Sequence, residues 1–434
     1  MTETVDEGTP SLLRSGVVVA VASAGGNVAA FALTLGLGRL LSPAEFGAIG
    51  ALFGLAIVGQ VPGFAVQAVV ARQVANRRRL DNGGAPLPRA LLLAVLGVAV
   101  AVAAVGLLLA VPLAAVLHLD ASTPTLWLAA ALAPSTITFA AQGLLQGAER
   151  FGALGLLIVV TAVARVAGGL AGVPGGPAGV LAGIAAGSVV TAAFAAFLVR
   201  EIVRGAGSAT GERGLPPGAA TDWWHAVVGL GALLALTNAD VVLARHFLPP
   251  ETSGLYAAGA VVEKIAFWLP QAVALVVFPR LTDPDARGPL LLKASAAVGA
   301  LGAATSLGAA VVGPWALGLL LGPDYRTLGP ELGLFAAAGA AGALVQLVLY
   351  SGIARGSRSI GAALLAALAV LVIVVATVAH GSVTAVVSSV VAVLGTVAIV
   401  GLAVSLRPPA RRQWPASSQF VPAPTETSSG TDRA

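Results

Sequence analysis

The sequence predicts an all-α polytopic membrane protein, with about twelve transmembrane helices in two six-helix lobes related by pseudo-two-fold symmetry along the membrane normal. Hydrophobic residues make up 57% of the chain and charged residues 10%, and the mean hydropathy is +0.94. A soluble domain holds roughly a quarter charged residues. Apolar stretches long enough to cross a hydrocarbon core of about 30 Å recur along nearly the whole chain. A punctuation pattern also occurs twice, RLLSPAEFG from Arg39 and RHFLPPETSG from Arg245, each closing a long apolar run. In both copies Arg is followed six residues later by Glu. Downstream, Pro62 precedes Arg72 by ten residues and Pro270 precedes Arg280 by ten. Such doubling inside apolar sequence is the mark of internal repeats, and it divides the chain into two related halves.

Taken in order, the acidic tail 1-13 has too little apolar sequence to fold alone and reads as a disordered cytoplasmic segment. The N-terminal lobe, 14-200, holds six spans near 15-38, 47-71, 90-117, 125-146, 153-173 and 178-199. Ala22-Ser23-Ala24 imitates a signal-peptidase site, but the apolar run continues past it, so the first span is read as uncleaved. Polar residues inside spans need a bundle interior or an aqueous cavity. In span 1, Ser23, Asn27 and Thr34 share one face; in span 2, Gln60 and Gln67 are seven apart; in span 4, Ser135, Thr138, Gln142 and Gln146 form a stripe. These suit either interhelical hydrogen bonds or a cavity offering amides and hydroxyls to a sugar. Arg165 lies near the middle of span 5 beside Thr161, Gly168, Gly169 and Gly172. An arginine at that depth costs about 3 kcal/mol even on lenient insertion scales, so it requires water, an anion or a carboxylate such as Asp240 or Glu263. Gly50 to Gly54 and Gly183 to Gly187 have the spacing that lets helix backbones approach closely.

A Gly-Pro-rich cytoplasmic linker, 201-224, precedes the C-terminal lobe, 225-405, with spans near 225-244, 254-279, 291-321, 329-350, 360-379 and 383-405. Span 7 carries Asn238 and Asp240, a candidate ion-coupling acid. In span 8, Lys264 shares a face with Trp268 and Gln271, while Glu263, the other candidate for ion coupling, points about 100° away and is expected to serve a separate contact. Span 9 is long enough to tilt or break at Gly313-Pro314. The Pro, Ser and Thr-rich tail 406-434 again reads as disordered.

Charge sets the orientation. Of 24 basic residues, Arg39, Arg245 and Arg326 fall in outer loops and Arg165 and Lys264 within spans. The others, among them Arg72, Arg77, Arg78, Arg79, Arg89, Arg200, Arg280 and Lys293, lie on one side, which places both termini in the cytoplasm and the chain in the plasma membrane. Net charge +5 therefore reflects topology, and no nucleic-acid partner is expected. With no cysteine, thiol catalysis and Cys-based metal sites are excluded. His118, His225, His246 and His380 show no metal-ligand spacing, Asp283-Pro284-Asp285 stands in a short loop without a nucleotide-binding domain, and no phosphate-binding Gly-rich loop with Lys appears. The expectation is a non-enzyme with no cofactor and no metal.

The segment NVAAFALTLGLGRLLSPAEFGAIGALFGLAIVGQVPG through AVVARQVA resembles the opening two helices of the polysaccharide or oligosaccharide flippase family. So does NADVVLARHFLPPETSGLYAAGAVVEKIAFWLPQAVALVVFPRL in the second half, and GLLQGAERFG at 143-152 is similar as well. That family belongs to the multidrug, oligosaccharidyl-lipid and polysaccharide exporter superfamily. The resemblance implies two six-helix lobes around a central cavity and alternating access. It also implies movement of polyprenyl-pyrophosphate-linked oligosaccharide from the inner to the outer leaflet for cell-surface polysaccharide biosynthesis. Partners implied are that lipid-linked oligosaccharide, membrane lipids, a coupled proton or sodium ion, and polysaccharide-assembly proteins. The family's cationic head-group contacts carry over to Arg165 and Lys264, with Trp268, Gln271, Asn27, Gln60, Gln67 and Gln142 as further substrate contacts. Asp240 and Glu263 balance the two cations within the spans. Three other readings stand beside it: an ion-coupled multidrug exporter of the same superfamily, a peptidoglycan-precursor flippase, and a non-transporting assembly scaffold.

Overall fold

A computed structural model of the chain describes residues 8–80, 89–204, 219–270, 284–354, 357 and 359–406. Among the described residues are fourteen α-helices and no strand. The first seven are α1 (Gly8–Leu40), α2 (Pro43–Gly59), α3 (Val61–Leu80), α4 (Arg89–Val116), α5 (Thr123–Gly147), α6 (Phe151–Ala171) and α7 (Gly176–Arg204). The second seven are α8 (Ala219–Leu236), α9 (Ala239–Phe247), α10 (Pro250–Trp268), α11 (Pro284–Leu320), α12 (Leu332–Ala354), α13 (Ile360–Thr377) and α14 (Val383–Leu406). Eleven stretches are long and apolar enough to cross a membrane. The twelfth expected span is represented by the 19 residues of α10, and its remainder lies outside the described residues, as do Phe278-Pro279-Arg280 and most of the linker and tails. Large apolar side chains such as Leu108, Val311 and Val378 stand exposed on the bundle, as lipid contact requires.

Local chemistry explains the punctuation. After α1, Ser42 caps α2: its Oγ accepts from the Glu45 amide at 3.3 Å, and Glu45 Oε2 accepts from the Ser42 amide at 3.0 Å. This is a capping box with Pro43 at the first helical position, so the repeated Glu begins as a helix-start device. In the second copy, Pro250 opens α10 and Glu251 sits in its first turn. Pro62 has no amide hydrogen to continue the helix ladder, and α2 gives way to α3 at Gln60. Likewise α10 stops at Trp268, two residues short of Pro270. Span 7 is also interrupted, between α8 and α9 at Thr237-Asn238. Of the tilt or break expected at Gly313-Pro314, no break occurs. Helix α11 runs for 37 residues through that proline, which membrane helices tolerate where neighbouring groups satisfy the freed carbonyl.

The lobes meet along a seam in which α2 packs on α9 and α10. Small residues set its thinness. A Cβ on Gly50 would lie 2.8 Å from the Ala257 Cβ, one on Gly54 would come within 3.2 Å of the Asn238 carbonyl, and one on Gly254 would strike the Pro43 carbonyl. The two copies of the repeated pattern therefore rest on each other across the lobes. The Gly183 to Gly187 pair packs instead within the N-lobe, against Gly168 and Ala164 of α6. The turns at 41–42, 117–122, 248–249 and 378–382 gather at one end of the bundle, here the distal end, opposite the first and last described helical ends.

Candidate functional site

Two polar clusters lie within the bundle, one in each lobe. The N-lobe cluster lines a cavity of about 440 Å³. Helix α1 contributes Ser23 and Asn27, α3 contributes Gln67, α5 contributes Gln142 and Gln146, and α6 contributes Thr161 and Arg165. The stripes expected on spans 1, 4 and 5 thus converge on one space. Gln67 Nε2 donates to Gln146 Oε1 at 3.4 Å, linking α3 to α5. Ser135 and Thr138 instead bond carbonyls in their own helix, at 2.8 and 3.0 Å, and Thr34 does the same at 3.0 Å. Gln60 is also apart: its Nε2 donates at 3.0 Å to the Ala56 carbonyl at the end of α2, which also accepts from the Gln60 amide.

Arg165 is the cavity's only charged lining residue among those described. Its Nε is buried without a hydrogen-bond partner, and its Cζ lies 5.2 Å from the Phe53 ring centroid on α2. The expected alternative of pairing with Asp240 or Glu263 is not what the fold does, because those acids sit in the other lobe with partners of their own. A guanidinium held only over an aromatic face keeps its in-plane donors available, and such donors suit the paired oxygens of phosphate or carboxylate.

The C-lobe cluster is closed. Asp240 is fully buried near the start of α9, and its Oδ2 accepts from the Tyr256 hydroxyl at 3.0 Å. Glu263 Oε1 meets Lys264 Nζ at 3.2 Å, and the same ammonium donates to the Thr237 carbonyl. One oxygen of each acid, Asp240 Oδ1 and Glu263 Oε2, has no donor. The expectation that Glu263 and Lys264 serve separate contacts is therefore corrected. Adjacent Cβ directions diverge, but the lysine stem is long enough to fold back, and the carbonyl freed where α8 ends at Leu236 holds the ammonium there. Trp268 packs edge-on against Phe267 at 5.3 Å, away from the N-lobe cavity. Gln271 lies outside the described residues.

Of the expected substrate contacts, the fold brings together Asn27, Gln67, Gln142 and Arg165, and leaves Gln60, Lys264 and Trp268 elsewhere. Tyr256 and Phe53 were missed. Tyr256 stands seven residues before Glu263, two turns along one face, and that spacing was a readable signal. Among the described residues, no group of three His, Asp or Glu side chains is placed to hold a metal.

No family model matches the sequence, and no curated protein matches it. Solved structures do match in fold. One is an inward-facing multidrug resistance MATE family transporter of the MOP superfamily, 13% identical, with a TM-score of 0.63 over 88% of this chain and 93% of that one. A MATE transporter from Vibrio cholerae, 14% identical, matches with 0.58 over 91% and 95%. A MOP superfamily transporter from Pyrococcus furiosus, described as having a binding pocket of reversed polarity that suggests a different function, is 13% identical and matches with 0.52 over 89% and 92%. The fold is thus the MATE-like one, two lobes of six membrane-spanning helices in a multi-pass membrane protein.

Proposed function

We propose that this chain is an alternating-access transporter that moves a polyprenyl-pyrophosphate-linked oligosaccharide across the membrane for surface polysaccharide assembly. The carrying observation is Arg165, a cavity cation with no acid partner among the described residues, ringed by amides and hydroxyls. Pyrophosphate supplies the missing anion, and Asn27, Gln67, Gln142 and Gln146 offer the mixed donors and acceptors that sugar hydroxyls take. The excess of basic residues on one side supports cytoplasmic termini, which makes the distal end the outer one. A test is flipping of a labelled polyprenyl-pyrophosphate oligosaccharide in proteoliposomes, read with a membrane-impermeant reagent. Arg165→Gln should lower the rate at least about tenfold, equivalent to ~1.4 kcal/mol, with Arg165→Lys intermediate. Unchanged flipping in Arg165→Gln would overturn the head-group reading.

A second reading, ion-coupled multidrug export, draws on the buried Asp240 and Glu263, each with an oxygen lacking a donor. Such a pair is suited to a proton or sodium ion in either reading. Drug export predicts dye efflux that Asp240→Asn abolishes and that Arg165→Gln spares.

A further inference from the structure

The distal ends of the two lobes are joined by one C-lobe turn that caps an N-lobe helix. Arg245, in the last turn of α9, is 7% exposed although the sequence placed it in a loop. Its Nε donates to the Leu117 carbonyl at 3.0 Å, Nη2 to the His118 carbonyl at 3.5 Å, and Nη1 to the Ala44 carbonyl and to Ser253 Oγ, both at 3.2 Å. Leu117 and His118 follow the last residue of α4, where carbonyls lack helical partners and the dipole favours a cation. The next residue repeats the act: His246 Nδ1 lies 2.7 Å from the Val116 carbonyl, so that nitrogen carries hydrogen and donates. The His118 and His246 rings, from opposite lobes, stack with centroids 5.0 Å apart and planes 23° apart.

We infer that Arg245 and the His118–His246 pair form the gate latch of the transport cycle, which holds the distal end shut while the histidines are neutral and lets it open when both are protonated. This rests on the transporter reading and its orientation, but on no particular substrate. The contacts that close the latch are hydrogen bonds across the lobes, so they break when the lobes part. Histidine is the side chain that changes charge near physiological pH. The stacked pair stands beside a guanidinium, and two imidazolium rings there would add two like charges to one already buried. One neighbouring carboxylate, Asp120 in the α4–α5 turn, acts on Arg245 and offsets part of its charge, but a single carboxylate does not balance three cations. Glu45 on α2 is held by Ser42, Glu331 is held by Thr384 at the start of α14, and Glu251 stands exposed on the first turn of α10. His380, across Phe247 from His246, adds a third ring from the α13–α14 turn. Among the described residues, neither histidine forms an ion pair with any of these acids.

The chain has no cysteine, so one introduced thiol reports cleanly. Val241 is buried on the seam one turn below Arg245, facing Gly50. In proteoliposomes, Val241→Cys should react about tenfold faster with an impermeant maleimide added outside at about pH 5 than at about pH 7.5, relative to the same reporter carrying His118→Gln and His246→Gln. That double variant corrects for the reagent's own pH dependence. Arg245→Gln should label fast at about pH 7.5 and lose the pH response that remains after that correction, and Arg245→Lys should fall between. Equal pH responses with and without the histidines overturn the inference, as does slow labelling of Arg245→Gln at neutral pH. No substrate is present, so the latch can fail while flipping survives, and flipping can fail while the latch still responds.

Discussion

The polar clusters of the two lobes differ in sign, access and satisfaction. In the N-lobe a cation and a set of amides face a cavity of about 440 Å³, and among the described residues the cation has no acid partner. In the C-lobe two acids, a tyrosine and a lysine close on one another between α8, α9 and α10, with Asp240 and Glu263 at most 2% exposed. On the proposed function, the contrast separates a place that receives a substrate from one that holds its own charges together. Removing a charge should therefore have opposite consequences on the two sides.

The largest effect is expected from Glu263→Ala. Stranding the Lys264 ammonium should cost about 3 kcal/mol, the lower end for a broken buried pair because that lysine side chain keeps 22% exposure. A fall in the apparent thermal midpoint in detergent measures it, and an unchanged midpoint would remove the idea that the C-lobe cluster is structural support. Arg165→Gln should do the reverse. It should leave the midpoint unchanged or raised, since a cation without an acid partner is relieved, while flipping drops by about tenfold, or ~1.4 kcal/mol in the transport step. A destabilised Arg165→Gln would mean that the cavity cation is structural, and the contrast would collapse. Tyr256→Phe sharpens the C-lobe side alone: losing the donor to Asp240 should cost about 1 kcal/mol, read from the same midpoint. Ser42→Ala, which removes the cap of α2 and touches neither cluster, should cost about 0.5–1 kcal/mol and leave flipping intact.

Where hydrophobic run and proline fall was enough to place the spans, because burial in lipid and helix termination are local effects. Helix ends near Pro62 and Pro270 follow from the amide hydrogen that proline lacks. The polar stripes of the N-lobe were legible for the same reason, since Ser23 with Asn27, Gln142 with Gln146 and Thr161 with Arg165 share faces by helical spacing, but that they meet in one cavity was not. What could not be read was which helix supplies a partner. Lys264 turned back to Glu263 because a carbonyl at Thr237, freed by a break in another helix, fixed its ammonium. Arg245 looked like a loop residue because its acceptors, Leu117, His118 and Ala44, lie more than a hundred residues away in the chain. Its repeat counterpart Arg39 has the same sequence setting and stays exposed, so local pattern could not distinguish them.

The glycine-lined contact between α2 and α10 has a mechanical consequence. With Gly47 and Gly50 on one side and Gly254 and Ala257 on the other, few side chains interlock there, so the surfaces can roll over one another with little steric resistance. Such a contact acts as a fulcrum near one end of a lever. The 19 residues of α10 extend about 28 Å at 1.5 Å per residue, so a roll of roughly 10° at the fulcrum swings the far end by about 5 Å. A water molecule is smaller than that displacement. A modest rotation about this point is therefore enough to wet one mouth of the protein while the other stays dry.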